Sequence, residues 1–343
     1  MRLRTAVAEA VGENRSVAEV ARSHRLSWPT VQRAFSRLCA AVLGEPPPTP
    51  WLGIDETKFG RPRWRRGRDG RWTLSDPWET GFVDLTGAHG LLGQVDGRTS
   101  GAVRGWLAQR SQAWRDAVQL VAIDPCAPYA AAVRQLLPHA RIAVDHFHLV
   151  LAANRAVTTV RQRVTRTYLG RRGRRRDPVW VNRRHLLRAR ERLSSKRFTQ
   201  MWNACVDLDP SGDLLATWIA KEELRALLAC ARTADRHTIR AHLFDFYTWC
   251  ADTDVPEVHT LAALIDTWWP AVLTFLQTGA TNAATEGTNR LIKSVKRQAC
   301  GFRNRSHYRD RVRFHCTRSR ERTGREGTGR LPLKVEEPFN LSR

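Results

Sequence analysis

Three carboxylates stand where side chains can converge on a crevice. Asp55 closes the apolar run WLGID, Asp124 closes VQLVAID, and Glu286 opens the stretch TNAATEGTNRLIKSVKRQ. An acidic residue just past a buried strand is also a common helix cap or loop starter, so neither aspartate carries chemistry alone. The set is more telling, because two aspartates from neighbouring strands and a glutamate from a helix make an all-oxygen cage suited to Mg²⁺ or Mn²⁺. Two such ions, about 3.5–4 Å apart, serve phosphodiester chemistry at the attacking and the leaving oxygen. Along the last stretch Asn282, Glu286, Asn289, Lys293, Lys296 and Arg297 recur at helical offsets on one face, the carboxylate early and the cations onward. The bland reading is an amphipathic helix whose polar side meets solvent, with Leu291, Ile292 and Val295 inside.

The elements that must position these groups follow from the periodicity. Apolar runs at Trp51 to Asp55, Gly81 to Leu85 and Gly90 to Gly97 predict three strands in meander order, the first two joined by a basic connection. A helix is predicted over Ser100 to Trp114, a strand over Val118 to Asp124, a helix over Tyr129 to Leu137 and a strand over Arg141 to Asp145. Strands alternating with helices imply an α/β domain with a buried mixed sheet. From 149 to 280 the pattern turns helical, with almost no strand signal, and reads as a large all-helical insertion. Within it GRRGRRRD, Gly170 to Asp177, is a dense positive run, either a solvated loop or a grip on a phosphate backbone.

Ahead of the sheet, Ser16 to His24 and Trp28 to Leu38 read as two helices across a short turn, a helix-turn-helix pattern. Val17, Val20, Ala21, Leu26, Val31, Ala34 and Phe35 would bury one face, leaving Thr30, Gln32, Arg33 and Arg37 for a DNA groove. An ordinary helical hairpin is the alternative. The prolines of EPPPTP cannot continue a helix, so residues 46–50 form a linker. The expected organisation is then 1–45 helix-turn-helix, 51–148 first part of the α/β domain, 149–280 insertion, 281–317 last helix of the domain, and 318–343 a loosely ordered tail.

Composition names the partner. A formal charge of +24, with only 6 lysines among 57 basic residues, is almost wholly arginine and points to a polyanion. Nucleic acid fits best. No apolar run approaches the roughly 20 residues that span a bilayer, and the opening residues lack the core of a signal peptide. A cytoplasmic, nucleoid-associated chain is expected. The seven cysteines are scattered with no CxxC pair, so reduced thiols are expected rather than a zinc site or a disulfide framework.

The order GIDET at Gly53 to Thr57, AID at Ala122 to Asp124 with Tyr129 downstream, VDHFH at Val144 to His148, and TNAATEGTNRLIKSVKR followed by GFRN at Gly301 to Asn304 resembles the insertion-sequence transposases of the ISL-three family. The likeness runs from Trp51 to His315. It implies an RNase H-like mixed sheet flanked by helices, with catalytic and metal-binding Asp55, Asp124 and Glu286 and a helical insertion between the last two. It implies two divalent ions, Mg²⁺ with Mn²⁺ as an option. The implied reaction cuts the phosphodiester at a transposon end and attacks target DNA with the freed 3′-hydroxyl. Asp145 and His148 match a signature thought to support the site, and Asn289 joins them from the glutamate's helix. Double-stranded DNA, as terminal inverted repeats and as target, is the implied partner, with a homo-oligomer pairing two ends and Lys293, Lys296 and Arg297 on the DNA side. Family members commonly carry an N-terminal cysteine-rich zinc module, and this sequence opens directly on the helix-turn-helix region. The usual glycine and leucine near the glutamate are Ala283 and Thr288 here, and His146 stands where a basic residue is usual. Two other classes remain open at this level: a helix-turn-helix DNA-binding protein without catalysis, and a nuclease of the same fold without strand transfer.

Overall fold

The computed structural model describes residues 2–75 and 77–326. The chain divides into two compact units, residues 1–97 with 284–343, and residues 98–283. The parallel strands fall in the second unit, together with the helical segment.

The first unit begins with three helices, α1 (Arg2–Gly12), α2 (Val17–Ser23) and α3 (Trp28–Val42). Ser16 caps α2 and Ser27 caps α3, each side chain accepting a hydrogen bond from an orphan backbone amide. Sequence periodicity gives the last two helices but not α1. Val7, Val11, Val17, Val20, Ala21, Val31, Phe35 and Cys39 pack into one core with Phe314, which arrives from almost the far end of the chain.

After the proline linker come β1 (Trp51–Lys58), β2 (Arg63–Arg66), β3 (Trp72–Ser75), β4 (Trp78–Asp84) and β5 (Leu91–Asp96). β4 runs antiparallel to both β1 and β5. The expected basic connection is a hairpin, β2 against β3, with every residue of β2 exposed. β1 is longer than the apolar run predicts: pairing continues to Lys58 opposite Trp78. Asp55 therefore sits within the strand, opposite Gly81, rather than at its end.

The second unit starts with α4 (Ser100–Ala108) and α5 (Gln112–Asp116) in place of one helix, because Ser111 caps a new start by accepting from the Trp114 amide. Then follow β6 (Leu120–Ile123), α6 (Ala127–Leu136) and β7 (Arg141–Val144), a β-α-β unit whose strands are parallel in register Ile123 with Val144. Two parallel strands need such a crossover, and it brings both carboxyl ends to one edge. The helical segment comprises α7 (His146–Leu169), α8 (Pro178–Asn182), α9 (Ser195–Leu208), α10 (Asp213–Ala229), α11 (Arg236–Ala251) and α12 (Pro256–Thr278). Arg163 clamps it, donating two hydrogen bonds to Glu257 and one to Asp213, all at 2.8–3.0 Å.

The chain returns to the first unit through α13 (Ala283–Gln298) and ends in α14 (Arg305–Glu326). The expected tail from 318 is helical through Glu326, and residues 327–343 lie outside the described residues. Tyr308, Val312 and Cys316, spaced by four, join Val83, Leu91, Ile292 and Val295 in a core against the antiparallel strands. The fully buried Glu79 accepts from Arg305 and Arg309, and burial pushes its carboxyl up despite both cations. Antiparallel strands come first and a parallel pair joined by a crossover helix follows, the mix of directions expected of an α/β domain with a mixed sheet.

All seven cysteines are free, and burial pushes the Cys39, Cys205 and Cys250 thiols up to about 12. Since the thiolate is the reactive form, alkylation of the native protein is expected at the exposed Cys300 and, at those three, only after unfolding, as read by mass spectrometry.

Candidate active site

In the second unit, Asp124 and Asp145 each follow the last residue of a parallel strand, so both leave the same edge, the crevice where α/β sheets place ligands. Asp145 also caps α7: its Oδ1 accepts from the Phe147 amide at 3.3 Å, which fixes the carboxyl at a fully buried position. One helical turn on, His148 meets both aspartates, with Nε2 3.0 Å from Asp124 Oδ2 and Nδ1 3.5 Å from Asp145 Oδ2. Asn282 Nδ2 lies 3.4 Å from Asp124 Oδ1. Asn282, expected on the glutamate's helix, precedes α13 and reaches the parallel-strand edge instead. Donor atoms of Asp124, Asp145 and His148 lie within 4.8 Å of one another, close enough to share a cation. His146 stacks on Phe275 at 4.7 Å, and burial lowers its pKa against the pull of Asp145.

In the first unit, Asp55 Oδ1 accepts from the Glu56 amide at 2.7 Å, and Oδ2 accepts from Asn289 Nδ2 at 2.6 Å. Glu286 lies in the first turn of α13, half-buried, one turn before Asn289. A carboxylate there is favoured by the positive end of the helix dipole. The two aspartates share a device: each is oriented by an asparagine amide, and a carboxylate that accepts two such bonds keeps lone pairs for a cation. Hard oxygens with fixed orientation fit a divalent ion.

The predicted DNA contacts divide. Arg33 and Arg297 are exposed, as is Lys293. Gln32 is buried, next to Val31 on the packed side of α3, and donates to Ser36, so it does not face a groove as expected. Thr30 is half-buried, with its hydroxyl 2.8 Å from that of the cap Ser27. Lys296 donates to the Lys58 carbonyl at 2.6 Å, and burial followed by the charge of Lys293 lowers its pKa.

Comparison with known proteins fixes the class. A transposase family profile of the DDE type matches residues 52–312, and residues 1–39 match the helix-turn-helix domain of transposase family ISL3. The transposase for insertion sequence element IS1001 of Bordetella parapertussis is 24% identical over 302 residues, covering 88% of this chain and 70% of that one. The Drosophila P element transposase strand transfer complex aligns over 92% of this chain and 90% of its own at 9% identity, with a TM-score of 0.42. These sequence matches define a DDE-type DNA transposase, an enzyme that binds DNA and depends on divalent metal. The chain belongs to transposase family ISL3.

Proposed function

We propose that Asp55, Asp124 and Glu286 are the catalytic carboxylates and hold two Mg²⁺ ions, which Mn²⁺ can replace. The observation that carries this reading is the pair of asparagines: Asn282 donates to Asp124, Asn289 donates to Asp55, and Glu286 lies between them in the chain. Bound ions would supply Lewis acidity for breaking and remaking a phosphodiester. The protein's own part is orientation. Asn289 and the Glu56 amide fix the Asp55 carboxylate, while Asn282 and His148 fix that of Asp124. Asp145 anchors His148 by capping the helix that carries it. These are positioning residues in this reading.

The substrate is the terminal inverted repeat of the element, cut so that its 3′-hydroxyl can join target DNA. Residues 1–45 read the ends with Arg33 foremost, the linker 46–50 joins them to the catalytic blocks 51–148 and 281–317, and 149–280 is the insertion. Lys293 and Arg297 contact the backbone beyond the glutamate. Two chains pair two ends, and the enzyme works at the nucleoid. No described helix is long and apolar enough to cross a membrane.

The test is a duplex bearing the repeats that flank the gene, incubated with Mg²⁺, beside pre-cut ends offered to a plasmid. Cleavage and joined product are expected. Hydrolysis without joining would indicate a nuclease, and binding without breaks would indicate a regulator. Binding should also weaken with salt at a log-log slope of roughly −5 to −9, the value for six to ten neutralised phosphates. A flat response would contradict the charge argument.

A further inference from the structure

The helical segment of the second unit carries an open pocket of about 360 Å³, lined by Arg161, Thr165, Arg166, Arg172, Gly173 and Trp180 beside Gln162. None of these residues is acidic. Arg161 is only 6% exposed, and its guanidinium lies 5.4 Å from the centre of the Trp180 ring. Arg183 covers the same ring at 4.5 Å and donates to the Trp180 carbonyl at 2.7 Å. Gly173 lets the chain close on the ring, since a Cβ there would come within 3.0 Å of Trp180 Cε3.

Nearby arginines show how this chain settles a guanidinium when a carboxylate is available. Arg163 takes Glu257 and Asp213. Arg171 takes both oxygens of Asp177, whose Oδ2 also accepts from the Arg174 amide, and these partners hold the Asp177 carboxyl down at about 2. The acids close in sequence are therefore engaged. Among the described residues no carboxylate pairs with Arg161, Arg166 or Arg172. A buried cation without a counter-charge is unfavourable, and burial together with the charge of Arg183 lowers the Arg161 pKa. Such a pocket is complementary to an anion, and guanidinium forks match tetrahedral phosphate.

We propose that this pocket seats a backbone phosphate of DNA, held by Arg161, Arg166 and Arg172. A free phosphate offers the same chemistry. DNA is favoured because exposed Arg174, Arg175 and Arg176 continue the positive field beside the pocket, as an extended strand requires and a small anion does not. The assignment rests only on the chain's binding of DNA and is independent of which carboxylates hold metal.

The experiment uses the full chain with a fluorescently labelled mixed-sequence duplex in EDTA, so that cleavage plays no part. Arg166 and Arg172 are exposed, and Arg166→Gln/Arg172→Gln is expected to melt like the parent. Its DNA affinity should fall several-fold at physiological salt, with a log-log salt slope shallower by about 1 to 2. Arg166→Lys/Arg172→Lys should recover most of that slope, since a point charge still neutralises a phosphate. Unchanged affinity and slope in the glutamine variant would overturn the proposal. So would a rise in melting temperature with inorganic phosphate that the glutamine variant loses while DNA binding stays intact, because that result describes a pocket for a small anion only.

Discussion

Asp55→Asn, Asp124→Asn and Glu286→Gln are each expected to lower strand cleavage at least about a thousandfold while leaving duplex binding near the parent level. That loss corresponds to about 4 kcal/mol of transition-state stabilisation. Each change removes a negative ligand and keeps the size of the side chain. At Asp55 the amide has a second consequence. Both carboxylate oxygens accept hydrogen bonds, from Glu56 N and from Asn289 Nδ2, and an amide has only one accepting oxygen. One donor is then left facing an NH₂ group, so Asp55→Asn should also cost about 1–3 kcal/mol of stability unless Asn289 turns away. Cleavage assays on labelled repeat ends, paired with thermal melts, separate the two effects. Retained cleavage in all three variants would end the assignment.

Phe314→Ala is expected to destabilise the first unit by about 3–5 kcal/mol, the usual cost of emptying a phenylalanine site in a core. Phe314 is 1% exposed and meets Phe35 of α3 edge to face, at 5.4 Å between ring centres. It also fills the space that Gly12 leaves open, where a Cβ would come 2.5 Å from Cε1 of the ring. The ring thus pins both the first and the third helix to α14, beside an Arg311 hydrogen bond to the Arg15 carbonyl and an Arg313 bond to that of Gly44. Its removal should free the helix-turn-helix before the strands melt. Sequence-specific binding should then fall while non-specific binding persists, which competition between repeat and random duplexes would read. Gly12→Leu, pressing on the same ring from the other side, should do likewise.

Much of the frame is legible in the residues because the hydrophobic pattern is strong where the sheet is buried. VQLVAID and RIAVD are apolar enough to mark both parallel strands, and each is followed by its aspartate. β1 extends past its apolar run because antiparallel pairing with β4 supports polar residues that periodicity alone would release to a loop. The hairpin β2–β3 was hidden for a related reason: Trp64 and Trp72 stay more than 60% exposed, and arginines surround them, so no alternation of burial marks the strands. Arginines also masked α14, although Tyr308, Val312 and Cys316 at spacings of four carry the helical signal.

At the site, strand ends and helix spacing brought forward all three proposed carboxylates, and the Asp145-x-x-His148 pattern brought forward two residues that the fold sets beside Asp124. Long-range amide contacts left no local trace. Asn282 and Asn289 reach aspartates 158 and 234 residues away, a pairing that only the folded chain creates. Gln32 lies buried on α3 and donates to Ser36, a placement that helical spacing alone does not distinguish from the exposed side.

Two sets of residues compete for the metal: the proposed Asp55, Asp124 and Glu286, and the compact cluster of Asp124, Asp145 and His148. Titration of Mn²⁺ by electron paramagnetic resonance, on the DNA-bound enzyme, separates them. Asp55→Asn, Asp124→Asn and Glu286→Gln are each expected to remove bound Mn²⁺, whereas His148→Gln weakens binding without abolishing it. Full Mn²⁺ binding by Asp55→Asn and Glu286→Gln, with loss in His148→Gln, would contradict the proposed set and place the metal in the cluster at the parallel-strand edge.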